Sequence, residues 1–441
     1  MAKIKIRKGK DIRLAGMPSK HLECFEPTSC AIKPTDFIGV LPKLHVEEGD
    51  TVKVGSVLFH DKNNENIVFT SPVSGTVKAI VRGEKRAILE VIVESDGKNE
   101  AIDFGAANSS ELSRNELIDK MLQSGVWPML RQRPFATIAN PNDRPKHIFI
   151  SMFDTAPLAP DNDYIISEMS QETSLQMGVN VLSKLTDGNV YININTSSTT
   201  CRDAINRIST MESIDGHANN IVVIEFEGPH PAGNVGTQIN AISPINKGEI
   251  VWYCYPQDVI TIGNLFLTGK YDSTRIIATT GSAVKDPHYY KTKIGADITP
   301  ILNIDENSRV ISGNVLTGTN ITNDGYLCFH DTQVTVIPEG NEYKLFGWLL
   351  PITKRFTNTN TKGDTRPYIM TGEFERVFPF DIYPMQLIKA CLIKDIDQME
   401  ELGIYEVDAE DFALCEVIDP SKTSIQQIIR KGLEFIRKET N

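Results

Sequence analysis

The chain has 441 residues, 40% hydrophobic and 23% charged, with a formal net charge of −12. This is a globular mixture long enough for several domains. It excludes a bilayer span, which needs about 18 uninterrupted apolar residues, and the lack of a long basic run disfavours a nucleic-acid partner. The seven cysteines are odd in number, scattered and without C-x-x-C spacing. They read as reduced packing residues rather than as disulfides or an iron–sulfur cluster. The N-terminus, Met1-Ala-Lys-Ile-Lys-Ile-Arg7, has charges but no apolar signal core behind it, which points to a cytoplasmic location.

Residues 1–103 read as an all-β unit, with short runs at 52–54, 56–59, 67–69 and 87–93 between Gly and Asn turns. A helix then opens at Ser113-Arg-Asn-Glu116, a capping box. Leu117, Ile118, Met121 and Leu122 recur at helical spacing, and Gly125 ends the run.

From about 146 to 255, strands and helices alternate. Strands fall at 147–153, 190–194 and 221–227. One helix is marked by Leu175, Val179, Leu182 and Leu185 and stops at Gly188; another runs through Ala204, Ile205 and Ile208. The rhythm predicts a Rossmann-like parallel α/β domain over 104–255. Gly228-Pro-His-Pro-Ala-Gly-Asn-Val-Gly-Thr237 then lies at the carboxyl edge, where such sheets bind ligands. Gly228, Gly233 and Gly236 have the outline of a nucleotide loop but fit neither G-x-G-x-x-G nor a Walker loop, and Asn234 replaces the Walker lysine. The loop therefore reads as vestigial. His230, between two prolines, reads more readily as part of a rigid turn than as a ligand contact.

Pro256 opens a helix that Gly269 closes. Strands at 274–279 and 309–316 follow in a small mixed unit over 256–340. Residues 354–366 are polar and turn-rich, hence an expected mobile loop. The remainder, 341–441, is mainly helical, with one run from Pro384 to near Gly403 and an amphipathic last helix from Ser424 to Lys438.

Segments 46–58 and 70–77 repeat one theme and resemble the barrel-sandwich hybrid of biotinyl and lipoyl carrier domains. Those domains present a lysine on the intervening hairpin. Lys62 sits near that place, but the hairpin reads as longer than a carrier hairpin, and a solvated turn lysine is the plainer reading.

Several stretches together resemble one family: Arg133-Pro-Phe135, Phe153-Asp-Thr-Ala-Pro-Leu-Ala159, Gly228-Pro-His-Pro-Ala-Gly233, the segments 257–269 and 309–318, and Leu345-Phe-Gly-Trp348. They look like the NqrA subunit of the sodium-translocating NADH:quinone oxidoreductase. The resemblance implies a peripheral subunit on the cytoplasmic side of a six-subunit membrane complex. That complex passes electrons from NADH to ubiquinone and exports Na⁺. It also implies that NADH oxidation belongs to another subunit. FMN, FAD, riboflavin and the 2Fe-2S centre would sit on partners, with the hydrophobic B subunit the chief contact. The family is similar to the flavin-bearing subunit of complex I and to the C subunit of the Rnf complex. Those relatives imply a lipoyl-like domain, a flavin-type α/β domain, a β-grasp (SLBB-type) domain and a helical domain in that order.

The departures matter. The Arg-Gly-Gly-Ala-Gly-Phe flavin loop and the Cys-x-x-Cys-x-x-Cys clusters of those relatives are absent, and Asp419-Pro420 has only Cys415 upstream. No metal or redox cofactor is therefore expected on this chain. The alternative is a flavin- or NAD-binding electron-transfer subunit of the complex I or Rnf type.

A quinone head needs an apolar slot and a donor or two for its carbonyl oxygens. Phe37, Ile38 and Leu41 in one stretch, and Arg131, Arg133 and Phe135 in another, are the candidates. The competing reading pairs Arg131 and Arg133 with acids at a domain interface and puts Phe37 and Phe135 in the core. Trp252 and Tyr253 read as core strand residues. No paired carboxylates, catalytic triad or His-x-x-x-His spacing stands out, which disfavours a hydrolase or metalloenzyme.

Overall fold

The computed structural model describes residues 2–199, 220–304, 307–340, 359, 366–369 and 371–440. The expected helix through Ala204, the Leu345–Trp348 motif and nearly all of the polar loop 354–366 lie outside the described residues.

Two small sheets form the first unit. One has the order Ser29–Ile32, Ile88–Ser95, Gly75–Arg82, Thr51–Val52; the other has Pro42–Leu44, Val57–Asp61, Asn64–Thr70. Alternation sends Val77, Val91 and Val93 inward against Leu58, and Phe59 stacks on Phe69 with ring centroids 4.5 Å apart. This is the barrel-sandwich hybrid. Its central hairpin is shorter than the sequence suggested. Asp61 stands opposite Asn64, leaving a two-residue turn of Lys62 and Asn63. The turn is tight because Asp61 Oδ1 accepts from the amides of Leu41 (3.0 Å) and Asn63 (3.1 Å). Lys62 is exposed at its tip.

The second unit holds a seven-stranded sheet in the order Ala2–Lys5, Ile221–Glu227, Val190–Asn195, Ile148–Ser151, Val251–Cys254, Arg131–Arg133, Thr137–Ile138. The first five are mutually parallel; the last two run antiparallel as an added edge hairpin. Helix Arg114–Ser124 starts at the expected capping box and ends at left-handed Gly125. Helices Glu172–Ser183 and Pro256–Thr268 meet unusually closely: a Cβ on Gly178 would lie 2.1 Å from Val259 O, and one on Gly263 1.8 Å from Ser174 O. Helix Pro256–Thr268, which the sequence put at the head of the third unit, thus packs on the second.

The third unit is a mixed six-stranded sheet: Thr319–Asn320, Ser308–Ser312, Gln333–Pro338, Thr274–Thr280, Tyr289–Lys293, Leu22–Cys24. Its last strand, like Ala2–Lys5, comes from the N-terminal segment. The first 24 residues therefore depart from the single all-β unit expected over 1–103. The physical reason is that Ile4 and Ile6 find an apolar face at Ile224 and Phe226, in the second unit.

The C-terminal unit is helical, as expected. The run from Pro384 is broken, however: helix Pro384–Ile393 ends at left-handed Lys394, and Asp395 caps a second helix, Ile396–Glu401. Helix Ile425–Thr440 buries Ile425, Ile429, Leu433 and Ile436 in the core of this unit.

Candidate functional site

The units meet around a cavity of about 340 Å³. Its floor is the carboxyl edge of the parallel sheet. Phe153 and Asp154 follow strand Ile148–Ser151, His230 to Asn234 follow Ile221–Glu227, and Tyr255 to Asp258 follow Val251–Cys254. The mixed sheet supplies Arg275 and His330 to Gln333; the helical unit supplies Asp408, Glu410, Gln426 and Arg430; the first unit supplies Ile38.

The glycine loop is occupied by protein. A Cβ on Gly228 would lie 2.4 Å from Ile6 O, and one on Gly233 would lie 2.5 Å from Thr155 N. His230 is 4% exposed; its amide donates to Asp11 Oδ1 (2.9 Å) and its Nδ1 lies 3.2 Å from Thr155 Oγ1. Burial lowers its pKa. Helix Val235–Ile242 begins just beyond. In its first turn, the carboxylate of Asp411 comes within 2.4 Å of the place a Gly236 Cβ would occupy.

The candidate arginines divide. Arg133 is 1% exposed and tied to the helical unit: Nη2 lies 2.5 Å from Glu410 Oε1, and Nη1 lies 3.3 Å from Asp411 Oδ2 and 3.7 Å from Asp408 Oδ2. Arg430 also reaches Asp408 and donates to Phe135 O (3.0 Å). Burial pushes the Asp411 carboxyl up to about 7, partly offset by Arg133. Arg131 is different. Its guanidinium lies over the rings of Tyr253 and Tyr255, 4.8 and 5.3 Å from their centroids, and has no ion-pair partner among the described residues. Its Nε is buried without a hydrogen-bond acceptor.

Further polar groups face the same space. Arg275 Nη2 lies 3.0 Å from Asp258 Oδ1, yet the angle leaves both atoms without a proper hydrogen bond, and its Nε has none either. His330 Nδ1 is unpartnered, and burial with Arg131 and Arg275 nearby holds that imidazole neutral, well below its ordinary pKa. Asp331 accepts from Ser312 Oγ (2.6 Å), and burial raises its pKa.

Of the sequence candidates, Ile38 and Arg131 line the cavity together with His230 and Gly233 of the glycine loop. Phe37 lies one layer behind the wall, against Phe69 (4.6 Å), Phe329 (4.9 Å) and His330 (5.6 Å). Leu41 is 55% exposed on the outer surface. Phe135 packs on Tyr405 of the helical unit, and Arg133 makes the interface ion pairs of the competing reading. Sequence reasoning missed Tyr255, Arg275, His330 and Arg430. Tyr255 continues the extended backbone of strand Val251–Cys254 two residues beyond Tyr253, a spacing that could have found the second tyrosine.

Three family models match in order: "NqrA N-terminal barrel-sandwich hybrid domain" over 4–96, "NqrA second alpha/beta domain" over 112–271 and "NQRA C-terminal domain" over 276–323. The Na(+)-translocating NADH-quinone reductase A subunit of Actinobacillus pleuropneumoniae serotype 5b (strain L20) is 37% identical over 463 residues, spanning 99% of this chain and 100% of that one. The chain belongs to the NqrA family. Its counterparts from Neisseria meningitidis serogroup B (strain ATCC BAA-335 / MC58) and Yersinia pestis bv. Antiqua (strain Angola) are also 37% identical, with the same shares of each chain covered. Among solved structures, an NAD⁺-reducing [NiFe]-hydrogenase in the H2-reduced state aligns with a TM-score of 0.41 and 11% identity, over 76% of this chain and 63% of that one, a likeness too weak to bear on function. Among the described residues of this NqrA-family chain, no helix is long and apolar enough to cross a membrane, and no three His, Cys, Asp or Glu residues are placed to hold a metal ion.

Proposed function

We propose that this chain is the peripheral, cytoplasmic-side subunit of the Na⁺-translocating NADH–ubiquinone reductase. It contributes to assembly, chiefly against the hydrophobic B subunit, and to an access site for the quinone head group. The flavins and the iron–sulfur centre would belong to partner subunits. The observation that carries the quinone reading is Arg131, a guanidinium with no ion-pair partner among the described residues, held over two tyrosine rings beside Ile38.

Charge favours a neutral ligand in that space. The lining carries Arg131, Arg275 and Arg430 against Asp154, Asp258, Asp331, Asp408 and Glu410. Three cations against five acids leave the lining net negative, which disfavours a phosphate group. A quinone presents carbonyl acceptors and no charge, so Arg131 and His330 can donate to it. The alternative, a flavin- or NAD-binding electron-transfer subunit, needs a place for phosphate, and the acid Asp411 packs against Gly236 in the first turn of the helix that would supply it.

The test is photolabelling of the assembled complex with a photoreactive quinone. Labelled peptides from this chain should contain Ile38 or residues 131–136. Labelling confined to other subunits would sink the quinone reading. A flavin absorbance band in the purified chain would favour the alternative.

A further inference from the structure

Six Lys or Arg residues and a single Asp fall within residues 3–13, in a chain whose formal net charge is −12. Lys3 and Lys5 are taken up by Glu227, at 2.8 and 3.1 Å. Arg7, Lys8, Lys10 and Arg13 are exposed and have no ion-pair partner among the described residues. Four free cations thus lie within seven residues, on the outer edge of the seven-stranded sheet and the strap leaving it.

The strap is not a loose tail. Lys10 N donates to His230 O (2.8 Å), Gly9 N to Arg376 O (3.3 Å), and Gly281 N to Gly16 O (2.9 Å). A Cβ on Gly9 would lie 2.1 Å from His230 O, so the backbone is seated hard against the α/β unit. Fixing the backbone while leaving the cationic ends free preorganises a positive strip.

Beside that strip runs an open groove of about 440 Å³. Ile12, Leu14, Ala15 and Met17 line it from the strap with Arg13 and with Asp11, whose carboxylate accepts from the His230 amide (2.9 Å), and Pro157 and Leu158 line it from the α/β unit. Met17 at its end is 64% exposed. Cations along an apolar groove, ending in an exposed apolar side chain, match an anionic amphiphile: the phosphate meets the cations and an acyl segment lies along the groove.

We propose that this strap and groove bind anionic phospholipid at the membrane surface. Bound there, a protein that is acidic elsewhere is held with one defined edge toward the bilayer. This deepens the reading of the chain as a peripheral subunit, on which it rests for the membrane. The charge and groove chemistry can be tested without any partner subunit, so the two fail separately.

The test uses the purified full chain with phosphatidylcholine vesicles, plain or containing about 30% phosphatidylglycerol. The chain should sediment with the anionic vesicles only, and binding should collapse between about 0.1 and 0.5 M salt. Each cation near an anionic surface strengthens association about fivefold, so Lys8→Glu, Lys10→Glu and Arg13→Glu together should weaken it by about a hundredfold or more. Lys62→Glu, Lys98→Glu and Lys285→Glu, the same charge change elsewhere, should weaken it by less than about tenfold. Met17→Ser should cost about threefold without altering the salt dependence. Equal sedimentation with both vesicle types, none with either, or equal losses in the two triple variants would overturn the proposal.

Discussion

The carboxylate of Asp411 comes within 2.4 Å of where a Gly236 side chain would begin, in the first turn of the helix that follows the glycine loop. Asp411 thus packs a buried acid of the helical unit against the first turn of that helix. Arg133, at 3.3 Å from Asp411 Oδ2, holds it there. The Arg133–Asp411 pair thus ties the helical unit to the sheet. Gly236→Ala should therefore destabilise by about 1–3 kcal/mol, because Asp411 is fully buried and has little room to give. Thermal melting of the purified chain should show a clear fall in midpoint; an unchanged midpoint would mean that the contact is slack.

Arg133 has three acids around it, Asp408, Glu410 and Asp411. Arg133→Met leaves those carboxylates without their central cation, and removing one side of a buried ion network costs about 3–5 kcal/mol. Arg133→Lys should recover only part of the loss, since a single ammonium cannot reproduce the forked contacts. Urea unfolding of both variants checks the order; equal stability of the Lys variant and the parent would count against it.

The helix contact at Gly178 and Gly263 has no slack, since a Cβ on either glycine would run into backbone oxygens. Gly263→Ala should lower stability by about 2 kcal/mol or more, although alanine is the better helix former by about 1 kcal/mol. A gain in stability would show that the two helices can separate at little cost.

Asp36 offers a pH test. Burial pushes its carboxyl up to about 6, against the opposing pull of Lys33 and the Phe329 amide, which donates to Oδ2 at 2.8 Å. The folded state thus holds this proton more tightly than the unfolded chain. That contribution to stability is complete below the unfolded carboxylate value near 4 and disappears as pH rises through about 6. Asp36→Asn, neutral at all pH values, should gain stability relative to the parent between pH 4 and pH 8. Urea midpoints at the two pH values would contradict this if the difference between the two proteins stayed constant.

Local structure was legible where local chemistry fixes it. Ser113 and Glu116 announce their capping box, Gly125 and Gly269 close their helices, and the apolar run at 87–93 falls in strand Ile88–Ser95. The departure of the glycine loop from nucleotide-loop spacing was legible in the sequence, but its contact with Asp411 was not, because that residue arrives from 175 positions downstream of Gly236. Arg133 and Asp411 are 278 residues apart, and Arg430 and Phe135 are 295 apart. No periodicity links such pairs; tertiary packing alone brings them together. The same holds for Ile4 and Ile6, whose alternation marks a strand but does not say which sheet receives it. Arg131 and Arg133, two residues apart on one strand, look equivalent in sequence. Only the fold sends one to a set of acids and the other to a cavity wall.

The most direct measurement is the Michaelis constant for quinone of the assembled complex carrying Arg131→Gln. Losing a charged donor to a quinone carbonyl should raise that constant by about tenfold or more. NADH oxidation by an electron acceptor that bypasses quinone should keep its rate. An unchanged constant for quinone in a fully assembled complex would contradict the account.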